Sequence, residues 1–466
     1  MASQAAGSSH APRIQVFATH DADRRTAVDG DFNQPQRRKH EILEGLGLIP
    51  ETSGTNSHDK ALIASAAAVT ELRAVSQGAP LEVATIVHSP GMVEFFETAW
   101  DEWAAMPADM RDISFVHPAC VDQGGHSGES EDPDNASKPP PPLVPANACN
   151  RDGIQRPGRA LFSRACYYGM DRFTPIDSRV KRALQMDMAV VAQSVQWLLA
   201  GESPRLAYAL VTHPGHHSAA GTFGGYCFIN NAAVAAALLL GRSSVGDDAS
   251  AGACAAPAVG EPPATAGRGA GGAGAGSGAA GTPGTSESTV RCFKRVAVVD
   301  VDYHAGNGTV AVFYDDPAVF VASLHMDPEY DYPFTCGFAD QTGSGAGKGS
   351  TMNIPLQPGT TWATGGRAEF GEGYRASLGK AIEAVRSFGA EALVISLGFD
   401  TYENDRIQQN GAGMGLVPSD YREMAAMLAG LGLPTVVMQE GGYEVEVVAT
   451  LAAQFMIGLA SGAASE

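Results

Sequence analysis

The sequence predicts an α/β fold with a mostly parallel central sheet flanked by helices. Three observations lead there. Short runs of aliphatic and β-branched residues alternate with longer helical patterns, as in sheets covered by helices. Several runs are apolar at nearly every position, which suits strands buried on both faces. Three of them end in ionisable residues, and open α/β sheets gather ligands beyond the carboxyl ends of their strands.

The strands expected in order are Ile14–Ala18, Ala84–His88, the run from Ala207, the run from Val296, Val319–Leu324, the run from Leu393, and Thr435–Gln439. Helical patterns cover Met186–Leu199, Ala232–Leu240 and Tyr374–Phe388. No internal repeat is visible. Residues 1–12 are small and polar and are expected to be disordered. Residues 117–165 read as an irregular loop that includes the proline run Pro139–Pro142. Residues 242–290 are rich in glycine and alanine, with almost nothing large to bury, so they cannot offset their ordering entropy. They read as a disordered insertion, leaving 13–466 as one domain around it.

The 466 residues carry 51 acidic and 31 basic side chains, a net charge of −20. A direct nucleic-acid partner is not expected, because that needs a basic footprint. The seven cysteines are scattered without a Cys-x-x-Cys pair, which points to a reducing compartment and away from a cysteine zinc site. No apolar run reaches membrane-spanning length and no charged-then-apolar leader begins the chain. The expectation is a cytoplasmic protein with no membrane partner, the nucleus remaining open.

The most informative stretch runs from Val296 to Gly308. A buried strand is followed by Asp300, Asp302 and His304, and residues two apart on an extended backbone point the same way. One Asp-x-His also fits carboxylates that cap a turn. The run Leu393–Leu397 leads to Asp400, however, and the run from Ala207 leads to His216 and His217, so three strands deliver such groups at one end. Asp302, His304 and Asp400 then form a candidate metal set. Three protein ligands leave a position open, as in catalytic zinc sites, and two carboxylates keep Fe(II) or Co(II) open as well. A divalent ion can lower the pKa of water from 15.7 to about 7.

His216 and His217 need roles other than ligation, since neighbours on an extended chain point apart, although Gly215 suggests a turn that blurs this. One would serve as general base and the other would assist electrostatically, with Asp300 and Asn307 available to orient them. Glu440-Gly-Gly-Tyr443 follows the last strand, and the Tyr443 hydroxyl could donate to a developing oxyanion. Together these groups specify hydrolysis of a carbonyl compound, most simply an amide.

Four blocks, His213–His217, Gly224–Asn231, Asp300–Thr309 and Glu440–Tyr443, resemble in content and order the signatures of the zinc-dependent histone deacetylase superfamily. Phe95–Trp100, Ala322–Pro328 and Phe399–Asp405 look closest to its acetylpolyamine amidohydrolases and related bacterial-type deacetylases. The resemblance implies a three-layer arginase/deacetylase-like fold. It implies zinc on Asp302, His304 and Asp400, with His217 moving the proton and His216 as its electrostatic partner. Tyr443 would polarise the carbonyl, Asp300 would orient His216 and Asn307 would face His217. Gly225, Tyr226 and Ile407 would line the substrate tunnel, and a structural potassium ion would be held through Asp300, Asp302, His304, Ser323 and Leu324. The partner implied is an acetylated amine or acetyl-lysine, and the loops that dimerise polyamine relatives leave a homodimer open.

The chain also departs from that pattern. His213 stands where many relatives carry proline, and Ala305 where many carry a second histidine. Arg406 replaces a proline and would bring positive charge to the pocket rim, while the loop around Phe162 lacks the glutamate that polyamine enzymes use. Both changes point away from a polyamine. An arginase-type ureohydrolase would need two metals and an aspartate where Asn307 stands. A non-catalytic acyl-lysine-binding module would not need Tyr443 and the whole ligand set.

Overall fold

A computed structural model describes residues 13–19, 34–50, 60–107, 143–145, 155–201, 205–243, 292–366, 371–408 and 413–463. Among them eight strands form one sheet: β1 (Ile14–Thr19), β2 (Thr70–Val75), β3 (Leu206–Leu210), β4 (Val296–Asp300), β5 (Val319–Met326), β6 (Thr351–Leu356), β7 (Ala392–Leu397) and β8 (Thr435–Gln439). Their order is β2-β1-β3-β8-β7-β4-β5-β6, and every neighbouring pair is parallel. The helices described are α1 (Pro35–Gly45), α2 (Lys60–Val69), α3 (Pro90–Ala105), α4 (Leu161–Tyr168), α5 (Val180–Leu199), α6 (Asn231–Leu239), α7 (Asn307–Val312), α8 (Tyr374–Phe388), α9 (Pro418–Ala429) and α10 (Val448–Ala463).

Side chains alternate across the sheet with a period of two, so each strand feeds two cores. Val296 and Val298 of β4 join Trp103, Val191 and Val234 from α3, α5 and α6. Ala297 and Val299 join Leu378, Leu428 and Phe455 from α8, α9 and α10. Helix layers therefore cover both faces, the three-layer arrangement expected. Local chemistry starts the helices: Asn230 accepts from Ala233 N at 2.9 Å ahead of α6, and Pro418 opens α9.

Six of the expected strand runs lie in strands, and Tyr374–Phe388 is helical with the bounds expected. Ala84–His88 is not a strand. Leu81–Ile86 winds as a 3-10 turn that buries Leu81, Ala84 and Ile86 beside α3, and His88 leaves the ladder to bond Ala219 O and Asn230 N. The irregular stretch expected to reach residue 165 gives way at Leu161 to α4, whose Leu161, Ala165 and Tyr168 share one buried face at helical spacing. Also described in that stretch are Leu143–Pro145, where Leu143 pairs with Ile176, and residues 155–160, which lead into α4. Residues 1–12, most of 117–165 and nearly all of 242–290 lie outside the described residues.

Candidate active site

Strands β3, β8, β7 and β4 are neighbours in the sheet and run the same way, so their carboxyl ends meet on one edge. That adjacency brings together His213–His217, Glu440–Tyr443, Asp400 and Asp300–His304, which are up to 230 residues apart in the sequence. Ser323 of β5 stands in register with Asp300.

Asp302, His304 and Asp400 are buried, with ligand atoms all within 4.8 Å of one another. His304 Nδ1 lies 3.3 Å from Asp302 Oδ1 and 3.4 Å from Asp400 Oδ2. Backbone donors hold the carboxylates from behind: His304 N and Gly441 N on Asp302, each at 2.9 Å, and Tyr303 N on Asp400 at 3.0 Å. Asp400 Oδ2 is buried with no hydrogen-bond partner. A Cβ on Gly398 or Gly441 would collide with the oxygens of Asp302 and Asp400, so only glycine lets these turns pass so close. Burial opposes charge on all three ligands. Asp302 with Asp400 nevertheless lifts His304 to about 10, while burial and then Asp302 push Asp400 up to about 7. Two buried carboxylates thus compete for one proton on an imidazole. A divalent cation answers this better than a proton does, because it satisfies the orphaned oxygen and leaves His304 neutral. The donor set fits such an ion.

The paired histidines sit on a turn, not on extended chain, and their rings are 4.0 Å apart on the same side. The opposite-facing geometry expected of an extended pair is overruled by Glu440, whose Oε2 takes Gly215 N at 2.6 Å and His216 N at 3.2 Å. His216 Nδ1 bonds Asp300 Oδ2 at 3.0 Å, and His217 Nδ1 bonds Asn307 Oδ1 at 2.6 Å. Burial works against charge on His216, but Asp302, Asp300 and Glu440 hold its pKa well above the ordinary value. Burial and then the cationic His216 and His304 push His217 well below it. One imidazole is built to carry charge and its neighbour to stay neutral.

Tyr443 is buried at the same edge, its ring 5.8 Å from that of Tyr226. Asp405 Oδ2 takes Tyr443 N at 2.7 Å and Oδ1 takes Ile407 N at 3.0 Å, tying the two turns together. Arg38, buried on α1, reaches Gly442 O at 3.2 Å beneath the Tyr443 ring. Arg406 does not offer a free positive charge: it pairs with Glu444 at 3.1 and 3.2 Å. Ser323 and Leu324 are buried beside Asp300, and Ser323 Oγ bonds His325 Nδ1 at 2.8 Å. A second cluster, His216, Cys227 and Glu440, has ligand-type atoms close together, but Glu440 already serves Gly215 N, His216 N and Ser396 Oγ.

Sequence reasoning missed several residues here. Tyr332 packs edge-on against His217, ring centroids 4.8 Å apart. It lies on a loop with no strand or metal-spacing signal to mark it. Asp187 of α5 accepts Thr212 N at 2.7 Å, His213 N at 3.2 Å and His213 Nδ1 at 3.3 Å. A lone acid inside an apolar helical run was its available signal.

A family model for the histone deacetylase domain matches residues 55–246 and 286–459, passing over most of the Gly/Ala-rich stretch. The chain belongs to the histone deacetylase family. Acetylpolyamine amidohydrolase 2 of Pseudomonas aeruginosa is 33% identical over 368 residues, 79% of either chain. The acetylpolyamine amidohydrolase of Mycoplana ramosa is 31% identical over 380 residues, 82% of this chain and 84% of the relative. The crystal structure of the acetylpolyamine aminohydrolase from Burkholderia pseudomallei superposes with a TM-score of 0.63 at 22% identity, over 96% of this chain and 98% of that one. As a family member the chain is a deacetylase of the amidohydrolase type, with the α/β fold of these enzymes. No described helix is long and apolar enough to cross a membrane.

Proposed function

We propose that this deacetylase is a zinc enzyme that removes acetyl or short acyl groups from a small acetylated amine or from acetyl-lysine. The observation that carries the proposal is the buried Asp302–His304–Asp400 cluster, whose Asp400 Oδ2 no hydrogen bond satisfies, beside a histidine pair oriented by Asp300 and Asn307. A divalent ion held by those three residues would supply Lewis acidity at the acyl carbonyl. With Asn307 accepting from Nδ1, His217 keeps Nε2 free to take a proton from the attacking water and return it to the leaving amine. His216, paired to Asp300, places positive charge beside the developing anion. Tyr443 donates its hydroxyl to the carbonyl oxygen. Gly225, Tyr226, Tyr332 and Ile407 wall the approach and exclude bulk water.

A potassium ion near Asp300, Asp302, His304, Ser323 and Leu324 would balance the acidic charge that β4 buries, and the sheet register of Asp300 with Ser323 supports it. The Arg406–Glu444 pair removes one argument against a cationic substrate, and the two polyamine-enzyme relatives above favour an acetylated polyamine as readily as acetyl-lysine. Asn307, engaged with His217, stands where two-metal ureohydrolase chemistry would need a further aspartate.

The test is acetate release from N-acetylpolyamines and acyl-lysine peptides by chelated protein reloaded with Zn(II), Fe(II) or Co(II). Turnover that returns with metal is expected, at one ion per active chain. A fully metallated protein that releases no acetate from any of these substrates would refute the proposal.

A further inference from the structure

Asp171 has no part in the reaction outlined above, yet it lies at the junction of both pocket walls. It is buried on the segment after α4, and each carboxylate oxygen is doubly engaged. Oδ1 takes Phe173 N at 2.9 Å and the Thr174 hydroxyl at 3.2 Å, which folds the segment back on itself. Oδ2 takes Gly225 N and, at 3.3 Å, the Tyr332 hydroxyl. Thr174 Oγ1 in turn accepts Tyr226 N at 2.9 Å. One carboxylate therefore grips, directly or through one hydroxyl, the Gly225–Tyr226 turn on one side and Tyr332 on the other.

The turn needs such a grip. Gly225 and Tyr226 have φ of 58° and 65°, a left-handed pair, and for tyrosine that conformation is strained. The strain is tolerated where surrounding bonds over-determine it, and here Asp171 and Thr174 take both backbone N–H groups. The spacing is also tight: a Cβ on Gly225 would collide with the His217 ring and lie 3.1 Å from the Tyr332 ring. Tyr332 itself rests on His217, and Tyr226 faces Tyr443 at 5.8 Å. A small movement of either wall changes the gap through which a substrate's alkyl arm must pass.

We propose that Asp171 is a positioning residue that sets the width of the substrate tunnel by tying its walls together, and so governs how tightly the alkyl arm of the acylated amine is held. This rests on reading the pocket as an acyl-amine tunnel. The Tyr332 hydroxyl is the direct strap, and Thr174 is the relay to Tyr226.

The test uses metal-loaded full-length chain as wild type, Asp171→Asn, Tyr332→Phe, the double variant and Thr174→Val. Turnover is followed on N-acetylputrescine and an acetyl-lysine peptide. Binding of the methyl-ketone isostere of N-acetylhexylamine is measured by calorimetry, independently of turnover. Asp171→Asn should raise KM and the ketone Kd about tenfold, more than it lowers kcat, and Tyr332→Phe should raise them by a smaller factor in the same pattern. The double variant should be no worse than Asp171→Asn, because both changes cut the same strap. Multiplicative effects, or KM and Kd unchanged in the single variants, overturn the proposal. Should Asp171→Asn not fold, Tyr332→Phe and Thr174→Val decide by the same two quantities. A wild type that binds the ketone but hydrolyses nothing, with the variants still weakened, sinks the proposed activity and leaves this inference standing. An active wild type matched by all variants does the reverse.

Discussion

Replacing Tyr443 by phenylalanine separates the chemistry from the architecture. The backbone of this residue is held by Asp405 Oδ2 at 2.7 Å, the preceding carbonyl by Arg38 at 3.2 Å, and the ring packs 5.8 Å from Tyr226. None of these contacts uses the hydroxyl. Burial, Asp400 and Asp302 together raise the phenol well above its ordinary pKa, so it stays protonated and able to donate across the working range. A single oxyanion donor is worth about 2.7–4 kcal/mol of transition-state stabilisation, or roughly 10²–10³ in kcat. Tyr443→Phe should therefore lose that factor in kcat while KM, metal content and thermal midpoint stay close to wild type. Acetate release gives kcat and KM, and atomic emission gives the metal. A variant with kcat within about threefold of wild type would refute the donor role, since no oxyanion contact of ordinary strength could then be missing.

Three further outcomes follow from the same geometry. In chelated protein, burial and then the neighbouring Asp302 push the Asp400 carboxyl from its ordinary 3.8 up to about 7, so the folded state holds more protons between those values and stability should fall as pH rises from about 4 to 7. Calorimetry should show this slope flatten in Asp400→Asn, and a slope of opposite sign would contradict the assignment. Asp187→Ala removes the acceptor of two backbone N–H groups beside the histidine turn, and at about 1–3 kcal/mol per orphaned group the loss should be roughly 2–6 kcal/mol in urea denaturation. Arg406→Ala breaks a half-exposed pair with Glu444 and should cost no more than about 1 kcal/mol. It should also lower KM for N-acetylputrescine at low salt but not for a neutral N-acetylalkylamine, because Glu444 is left uncompensated; equal effects on both substrates would contradict this.

What could be read from the sequence depended on where each residue lies in the sheet. The six strand runs that formed include the central β3, β8, β7 and β4, buried at every position and apolar over most of their length, so their composition marked them. The two strands that went unseen, β2 and β6, are the two edges. β2 exposes Glu71 and β6 contains Asn353 and Pro355, residues that an edge tolerates and a centre does not. Composition there carries little signal because burial asks little of it.

The same distinction explains the site. Ligands and histidines were legible because they sit immediately after central strands, where parallel order converts distant sequence positions into one edge. Asp171, Asp187, Asp405 and Tyr332 were not, because each acts through a loop or helix packed on that edge and follows no fixed spacing from a strand end. Yet these residues decide where the legible groups point. Glu440 turns the two imidazoles to one side, Asp187 holds the chain that enters their turn, and Asp405 holds Tyr443. Motif letters therefore specify which chemistry the pocket can perform, while the buried carboxylates behind it set the distances at which that chemistry works. Substitutions at those supports should vary rate and selectivity among chains whose motifs are identical.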